Sequence, residues 1–399
     1  MKALVVLENH FFLDCNNSVW CDRVVDYNYL QRYLNVFDSI VLTGRTQKID
    51  KTNNKLLVSG KNVEFIPMPE FKGAKGLLLN LFKIKKIIKE QIKQCDCAIY
   101  RAPTHLSLFT YKEVVKKKKT LALEFMMAAN KMFDGKSIYK KIINKIIDKK
   151  AKKMCLKANG VSYVTEHVLQ SKYPCKAILN NSNNKKYFTE VYSSIDLKED
   201  MYYYPDWNVN NKPDVYNIIH TGYMDSYRKG QDVLIKALKI VVDKGFNVRL
   251  TFIGDGEKRN EFEKLCDDLE LKNKVIFKGI IKDKKEILGI LKQSHLFVFP
   301  TQSEGLPRTI IEAMSQGLPC ISSPVDGIPE LLDEEYLVDY YDYEKYAKKI
   351  IDLISDWKKM IKISKLNYEK SKKYEYKNLE QKRNVYYKKI KELSNYEIS

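Results

Sequence analysis

Two glutamates are the residues of this 399-residue chain whose type and spacing best suit chemistry. Glu304 and Glu312 stand in the run Ser303-Glu304-Gly305-Leu306-Pro307-Arg308-Thr309-Ile310-Ile311-Glu312-Ala313-Met314. A carboxylate accepts hydrogen bonds from two neighbouring hydroxyls, so Glu312 suits a vicinal diol such as a ribose, and Glu304 the hydroxyls of a second sugar ring. A helix opening at Arg308, Thr309 and Ile310 presents free N–H groups that bind a diphosphate without a metal. One element would then read ribose, phosphates and hexose in order.

The elements that must position these groups are legible around them. Leu296-Phe297-Val298-Phe299 reads as a buried strand, Pro307 suits the first position of a helix, and Gly317 with Pro319 stops that helix. Throughout the chain short β-branched runs alternate with amphipathic stretches, the pattern of parallel sheets covered by helices. In the first half the strands are expected at Ala3–Leu7, Ser39–Thr43, Val63–Ile66, Ala98–Tyr100, Thr120–Glu124 and Val161–Thr165. In the second they are expected at Tyr216–His220, Arg249–Ile253, Val275–Phe277, Leu296–Phe299, Cys320–Ser322 and Tyr336–Val338. A helix over Gln231–Lys244 ends at Gly245. The fold class is α/β: two doubly wound, Rossmann-like domains facing a cleft, with a C-terminal helix read as one long element from about Asp356 to Leu393. The expected boundaries are 1–185 for the first domain, 186–213 for a linker, 214–355 for the second domain and 356–399 for the helical segment, returning to the first domain. The linker rests on the Asn-rich run at 180–184 and the polar, Pro-containing stretch Tyr202–Pro213.

With these residues in place, the chain resembles the GT-B glycosyltransferases of the retaining kind, family 4 or glycosyl transferases group 1, especially those of bacterial capsule and exopolysaccharide synthesis. Their signature is two glutamates separated by seven residues, which Glu304 and Glu312 fit. His220-Thr221-Gly222 with Asp225 to Gly230 is similar to the family's first strand and glycine turn. Lys229 there matches the lysine that neutralises the donor diphosphate, where the leaving group gains negative charge. Phe252 to Gly256, with Gly254, resembles the second strand and turn, and Phe277 to Ile281, with Gly279 and Ile281, the loop beside the nucleobase. Ser323 to Glu330 also matches.

The resemblance implies catalytic roles for Glu304 and Lys229. It implies donor binding by Gly222, Arg228, Lys229, Gly254, Gly279, Ile281, Glu304, Gly305, Leu306, Thr309, Ile310 and Glu312. It further implies a nucleoside-diphosphate sugar as donor, no other cofactor, and a glycan or undecaprenyl-diphosphate-linked acceptor. Transfer would go by front-face attack, the leaving phosphate taking the acceptor's proton. Tyr223 departs from the family, which has an arginine there; Arg228 is the candidate replacement. Phe125-Met126-Met127 stands where many members carry a histidine. His10, His105, His167, His220 and His295 read as packing or hydrogen-bonding residues.

Composition narrows the alternatives. Apolar residues make up 44% of the chain, which excludes a disordered or fibrous protein. No Asp-x-Asp stands where a metal-dependent transferase needs one, so no metal is expected. The eight scattered cysteines read as reduced thiols. No apolar run reaches the roughly 18 residues of a membrane span, and no signal peptide is expected. Residues 1–185 hold 34 Lys and Arg against 15 Asp and Glu, or +19, whereas 186–399 hold 36 against 35. Basic amphipathic stretches over Leu77–Lys93 and Ser137–Met154, with Lys116 to Lys119, suit an anionic membrane face. On the second stretch Ile138, Tyr139, Ile142, Ile143, Ile146, Ile147 and Ala151 are read as one apolar face. The expected location is cytoplasmic and peripheral on the inner face of the plasma membrane. Charge alone gives only salt-sensitive nucleic-acid affinity, and no specific nucleic acid is expected. An inactive partner of a transferase, or a nucleotide-sugar epimerase on the same fold, remains the alternative.

Overall fold

The computed structural model describes residues 1–22, 24–53, 55–131, 138–180 and 186–396. Most of the Asn-rich run at 180–184 and the start of the 137–154 stretch therefore lie outside the described residues. The chain divides into two compact units, Met1–Ser193 with Glu380–Ser399, and Ser194–Leu379.

The first unit is built on β1 (Lys2–Leu13), β2 (Val19–Cys21), β3 (Ser39–Lys48), β4 (Leu56–Leu57), β5 (Val63–Met68), β6 (Cys97–Ala102), β7 (Thr120–Phe125), β8 (Gly160–Tyr163) and β9 (Phe188–Val191). A parallel ladder runs β5-β3-β1-β6-β7-β8-β9. The far end of β1 also takes β2 antiparallel, and β2 takes β4. The central strands are continuous apolar runs because both sheet faces are covered: Ala3 to Leu7 and Leu121 to Leu123 are all buried. The last helix, Tyr376–Tyr396, closes this unit from Glu380 onward. Its Tyr386 hydroxyl donates to the Leu123 carbonyl at 2.9 Å, and those of Tyr387 and Tyr33 donate to the buried Glu124 carboxylate.

One expectation for this unit is corrected. In the helix Ile138–Lys157, Ile147, Ala151, Met154 and Cys155 are buried, while Ile138, Tyr139, Ile142 and Ile146 are exposed. At about 100° per residue, Ile142 lies about 140° around the helix from Ile147, so the apolar positions cannot share one face.

The second unit holds β10 (Tyr216–Thr221), β11 (Val248–Ile253), β12 (Val275–Phe277), β13 (Leu296–Phe299) and β14 (Cys320–Ser322) in the parallel order β12-β11-β10-β13-β14. The strand order reverses between β10 and β13, so the loops leaving their carboxyl ends open onto one crevice. Helix Gln231–Asp243 packs Leu234, Leu238 and Val241 into the core, and Gly245 follows it at φ 82°.

Two element assignments differ from expectation here. Tyr336–Val338 is no strand: Glu334–Tyr336 is a 3₁₀ turn, and a single bridge joins Leu337 to Ser322. The stretch from Asp356 is not one helix but Trp357–Ser371 and Tyr376–Tyr396. The helix breaks where its backbone groups bond elsewhere. Tyr202 Oη donates to the Ser371 carbonyl at 3.0 Å, and the Tyr376 amide to the Leu197 carbonyl at 2.7 Å.

Candidate functional site

The crevice where the strand order reverses is lined by the loop after β10, Gly222 to Lys229, and the loop after β13, Thr301 to Leu306. Across it the Lys229 ammonium pairs with the Glu304 carboxylate. Both side chains are largely buried. The Glu304 carboxylate also lies 3.3 Å from the Thr301 hydroxyl, and Lys229 Nζ stands 5.3 Å from the centre of the Phe299 ring.

Neighbouring loops fix both groups. Asp326 Oδ2 accepts from the Glu304 amide at 3.0 Å and from Ser303 Oγ at 3.3 Å, and the Gly327 amide donates to the Gly305 carbonyl at 2.9 Å. The Glu304 loop is thus braced by the segment after β14. On the other side His220 Nε2 lies 2.8 Å from the Lys229 carbonyl. A carbonyl only accepts, so this nitrogen carries the proton. Burial pushes the His220 pKa down to about 4 and keeps the ring neutral. Gly230 turns the chain into the next helix at φ 72°, where a Cβ would stand 2.0 Å from the Pro300 carbonyl oxygen.

Helix Arg308–Ser315 opens directly after the Glu304 loop, with Pro307 at its N-cap rather than within its first turn. No acidic residue occupies its first turn, so no side chain of that turn offsets the positive end of the helix dipole. The Thr309 hydroxyl is buried without a hydrogen-bond partner among the described residues, and Ile310 and Leu306 are buried beneath. One turn further in, Glu312 lies 3.7 Å from Lys284 Nζ. Burial raises the Glu312 carboxyl pKa above its ordinary value, against the pull of Lys284 and Arg308. Burial likewise lowers that of Lys284, whose ammonium donates to the Asp196 carbonyl.

The glycines bring the remaining loops together. The Gly222 amide donates to the Ile253 carbonyl and that of Gly254 to the Gly279 carbonyl. Gly254 adopts φ 136°, and a Cβ there would lie 2.1 Å from the Gly222 carbonyl oxygen, so only glycine fits. Ile281 is half-buried in the loop ahead of Lys284. Arg228 is half-exposed, and its carbonyl accepts from the Gln302 amide at 2.9 Å. Tyr223 is exposed. Lys284, Thr301, Asp326 and the contact of His220 with Lys229 were not anticipated from the sequence. The only signal was the run Ser323 to Glu330, of which Asp326 is part.

Of the other histidines, His295 Nδ1 accepts from the Asn217 amide at 2.9 Å, His10 lies 3.1 Å from Glu70, and His105 lies 3.3 Å from Glu8. Among the described residues no group of three or more His, Cys, Asp or Glu could hold a metal ion.

Residues 207–371 match the family model described as Glycosyl transferases group 1. The chain is 27% identical over 345 residues to Protein CapJ of Staphylococcus aureus, covering 86% of this chain and 82% of that one. It is 33% identical over 131 residues to the capsular polysaccharide biosynthesis glycosyltransferase CapM of the same organism, covering 32% of this chain and 34% of that one. Among solved structures, Anabaena Alr3699/HepE in complex with UDP-glucose superposes with a TM-score of 0.65 at 16% identity, covering 96% of this chain and 98% of that one. That likeness is one of fold, and the fold is GT-B.

Proposed function

We propose that this chain, which carries a glycosyl transferases group 1 domain over residues 207–371 on a GT-B fold, moves a hexose-type sugar from a nucleoside-diphosphate sugar to a growing, lipid-linked cell-surface glycan with retention of configuration. The observation that carries the reading is the pairing of Lys229 with Glu304 where the strand order reverses, beside the opening of a helix that holds Glu312 one turn in.

In this reading the amides around Thr309 and Ile310, together with Lys229, receive the diphosphate, Glu312 accepts the ribose hydroxyls, and Glu304 orients the transferred sugar. Gly222 lets the phosphate approach the backbone, and Gly254, Gly279 and Ile281 border the nucleoside. The bond from C1 to the phosphate oxygen breaks as C1 bonds the acceptor oxygen on the same face, and the departing phosphate takes the acceptor's proton. Lys229 and the helix amides stabilise the charge that builds on the leaving group, the role a metal fills in other transferases. Accordingly, transfer in the presence of a chelator should run at an undiminished rate.

A thermal-shift screen over UDP-, GDP- and ADP-sugars tests donor binding. A donor at about 100 times its dissociation constant adds about 2.7 kcal/mol, or roughly 5–10 °C for a unit of this size. If no nucleotide sugar shifts the transition, the donor reading is lost and the inactive-partner alternative takes its place. Tyr223, exposed where the family resemblance implies an arginine, is the feature that favours that alternative.

A further inference from the structure

Two helices of the first unit turn apolar side chains to solvent among lysines. In Gly73–Gln91 the inner face is Leu77, Ile84 and Ile88, all buried. At about 100° per residue, Leu79, Phe82 and Lys86 fall on the opposite side. There Phe82 is 91% and Leu79 79% exposed, and Leu78 beside them is also exposed. In Ile138–Lys157 the exposed Ile138, Ile142 and Ile146 follow one another at i, i+4 and i+8, flanked by exposed Lys145 and Lys149. Single exposed apolar residues are ordinary; two helices carrying them in register with lysines are not.

Helix His105–Lys116 lies against both. Across it Lys85, Lys112 and Lys150 converge closely enough that, after burial, the first two hold the third's ammonium below its usual pKa. Lys150 Nζ stands 3.9 Å from the centre of the Phe109 ring. This face belongs to the half of the chain that holds the basic excess.

From this geometry we propose that helices Gly73–Gln91 and Ile138–Lys157 dock the first unit on an anionic lipid bilayer. Leu79, Phe82, Ile142 and Ile146 enter the boundary between headgroups and acyl chains, while Lys85, Lys112 and Lys150 meet the lipid phosphates. A bilayer surface is the partner that rewards both features at once. Nucleic-acid phosphates would use the lysines and leave the aliphatic side chains idle, and protein interfaces are depleted in lysine. The inference deepens the lipid-linked reading of the acceptor above but is tested without it.

The test is co-sedimentation of the full chain with vesicles of phosphatidylcholine, with and without phosphatidylglycerol. Binding is expected only with the anionic lipid, and release on the order of 0.5 M salt, which screens exposed charges beyond a few ångströms. Each of Lys85→Gln, Lys112→Gln and Lys150→Gln should weaken binding about fivefold, the equivalent of about 1 kcal/mol. Leu79→Ser with Phe82→Ser, at solvent-facing positions that leave the fold intact, should weaken it more than about tenfold. Both sets of variants should keep the wild-type melting temperature. Equal binding to neutral vesicles, unchanged binding by Leu79→Ser with Phe82→Ser, or no vesicle binding at all would overturn the docking face. Transfer to a soluble acceptor without vesicle binding would sink this inference alone, and vesicle binding without any donor response would sink the donor reading alone.

Discussion

Replacing Glu312 by glutamine separates a ligand from a structural residue. The substitution keeps shape and leaves one oxygen to accept a hydroxyl, but turns the other acceptor into an NH₂ donor facing a second hydroxyl. At least one charge-assisted hydrogen bond is lost, about 1.5–3 kcal/mol, so donor affinity should fall about 10- to 150-fold. The fold should tolerate it. The Lys284 contact at 3.7 Å is partly exposed, contributing about 1 kcal/mol or less, and removing a desolvated charge works in the other direction.

Acidity supplies a second readout of the same variant. The Glu312 carboxyl sits above its ordinary value of 4.5, so lowering the pH through that raised value protonates it and removes an acceptor. Donor dissociation constants from calorimetry should therefore tighten as pH rises through this range in the wild type, and lose that component in Glu312→Gln. An unchanged dissociation constant at neutral pH in a folded variant would refute Glu312 as a donor ligand.

Three further outcomes follow from the same geometry. Lys229→Met removes the cation beside Glu304 and should lower the single-turnover rate about 10²- to 10³-fold; a loss below about threefold would place leaving-group stabilisation elsewhere. Gly254→Ala forces a Cβ to within 2.1 Å of the Gly222 carbonyl oxygen at φ 136°, and its urea midpoint should report a loss of about 2 kcal/mol or more. The lowered pKa of His220, about 4 in the folded chain against 6.5 unfolded, means that the unfolded chain takes up the proton first as pH falls. Stability from this group is therefore complete above about pH 6.5 and declines toward pH 4 by about 3 kcal/mol, a slope that His220→Gln should flatten in urea titrations between those values.

The parts of this molecule that the sequence disclosed are those governed by one-dimensional rules. Leu296 to Phe299 and Cys320 to Ser322 are strands at the expected residues because a strand covered on both faces must be apolar without interruption. The glutamate spacing stood out because strand, loop and helix follow directly in sequence. What stayed hidden depends on which residues meet in space. Asp326 braces the Glu304 loop from 22 positions away, and Lys284 reaches Glu312 from a different helix; a single polar residue has no periodicity to mark it.

The helix Ile138–Lys157 shows the converse limit. Its isoleucines have a helical period, yet a period alone does not say which arc turns inward when apolar positions occupy more than half the circumference. The buried Ile147 and Ala151 already supply this helix's share of the core, so the exposed Ile138, Ile142 and Ile146 are surplus to folding. Exposed isoleucines add nothing to the stability of a monomer and cost it solubility. Their alignment with lysines is therefore better explained by a surface they meet than by the core they leave, and an Ile142→Ser variant that weakened vesicle binding without lowering the melting temperature would locate their contribution outside the fold.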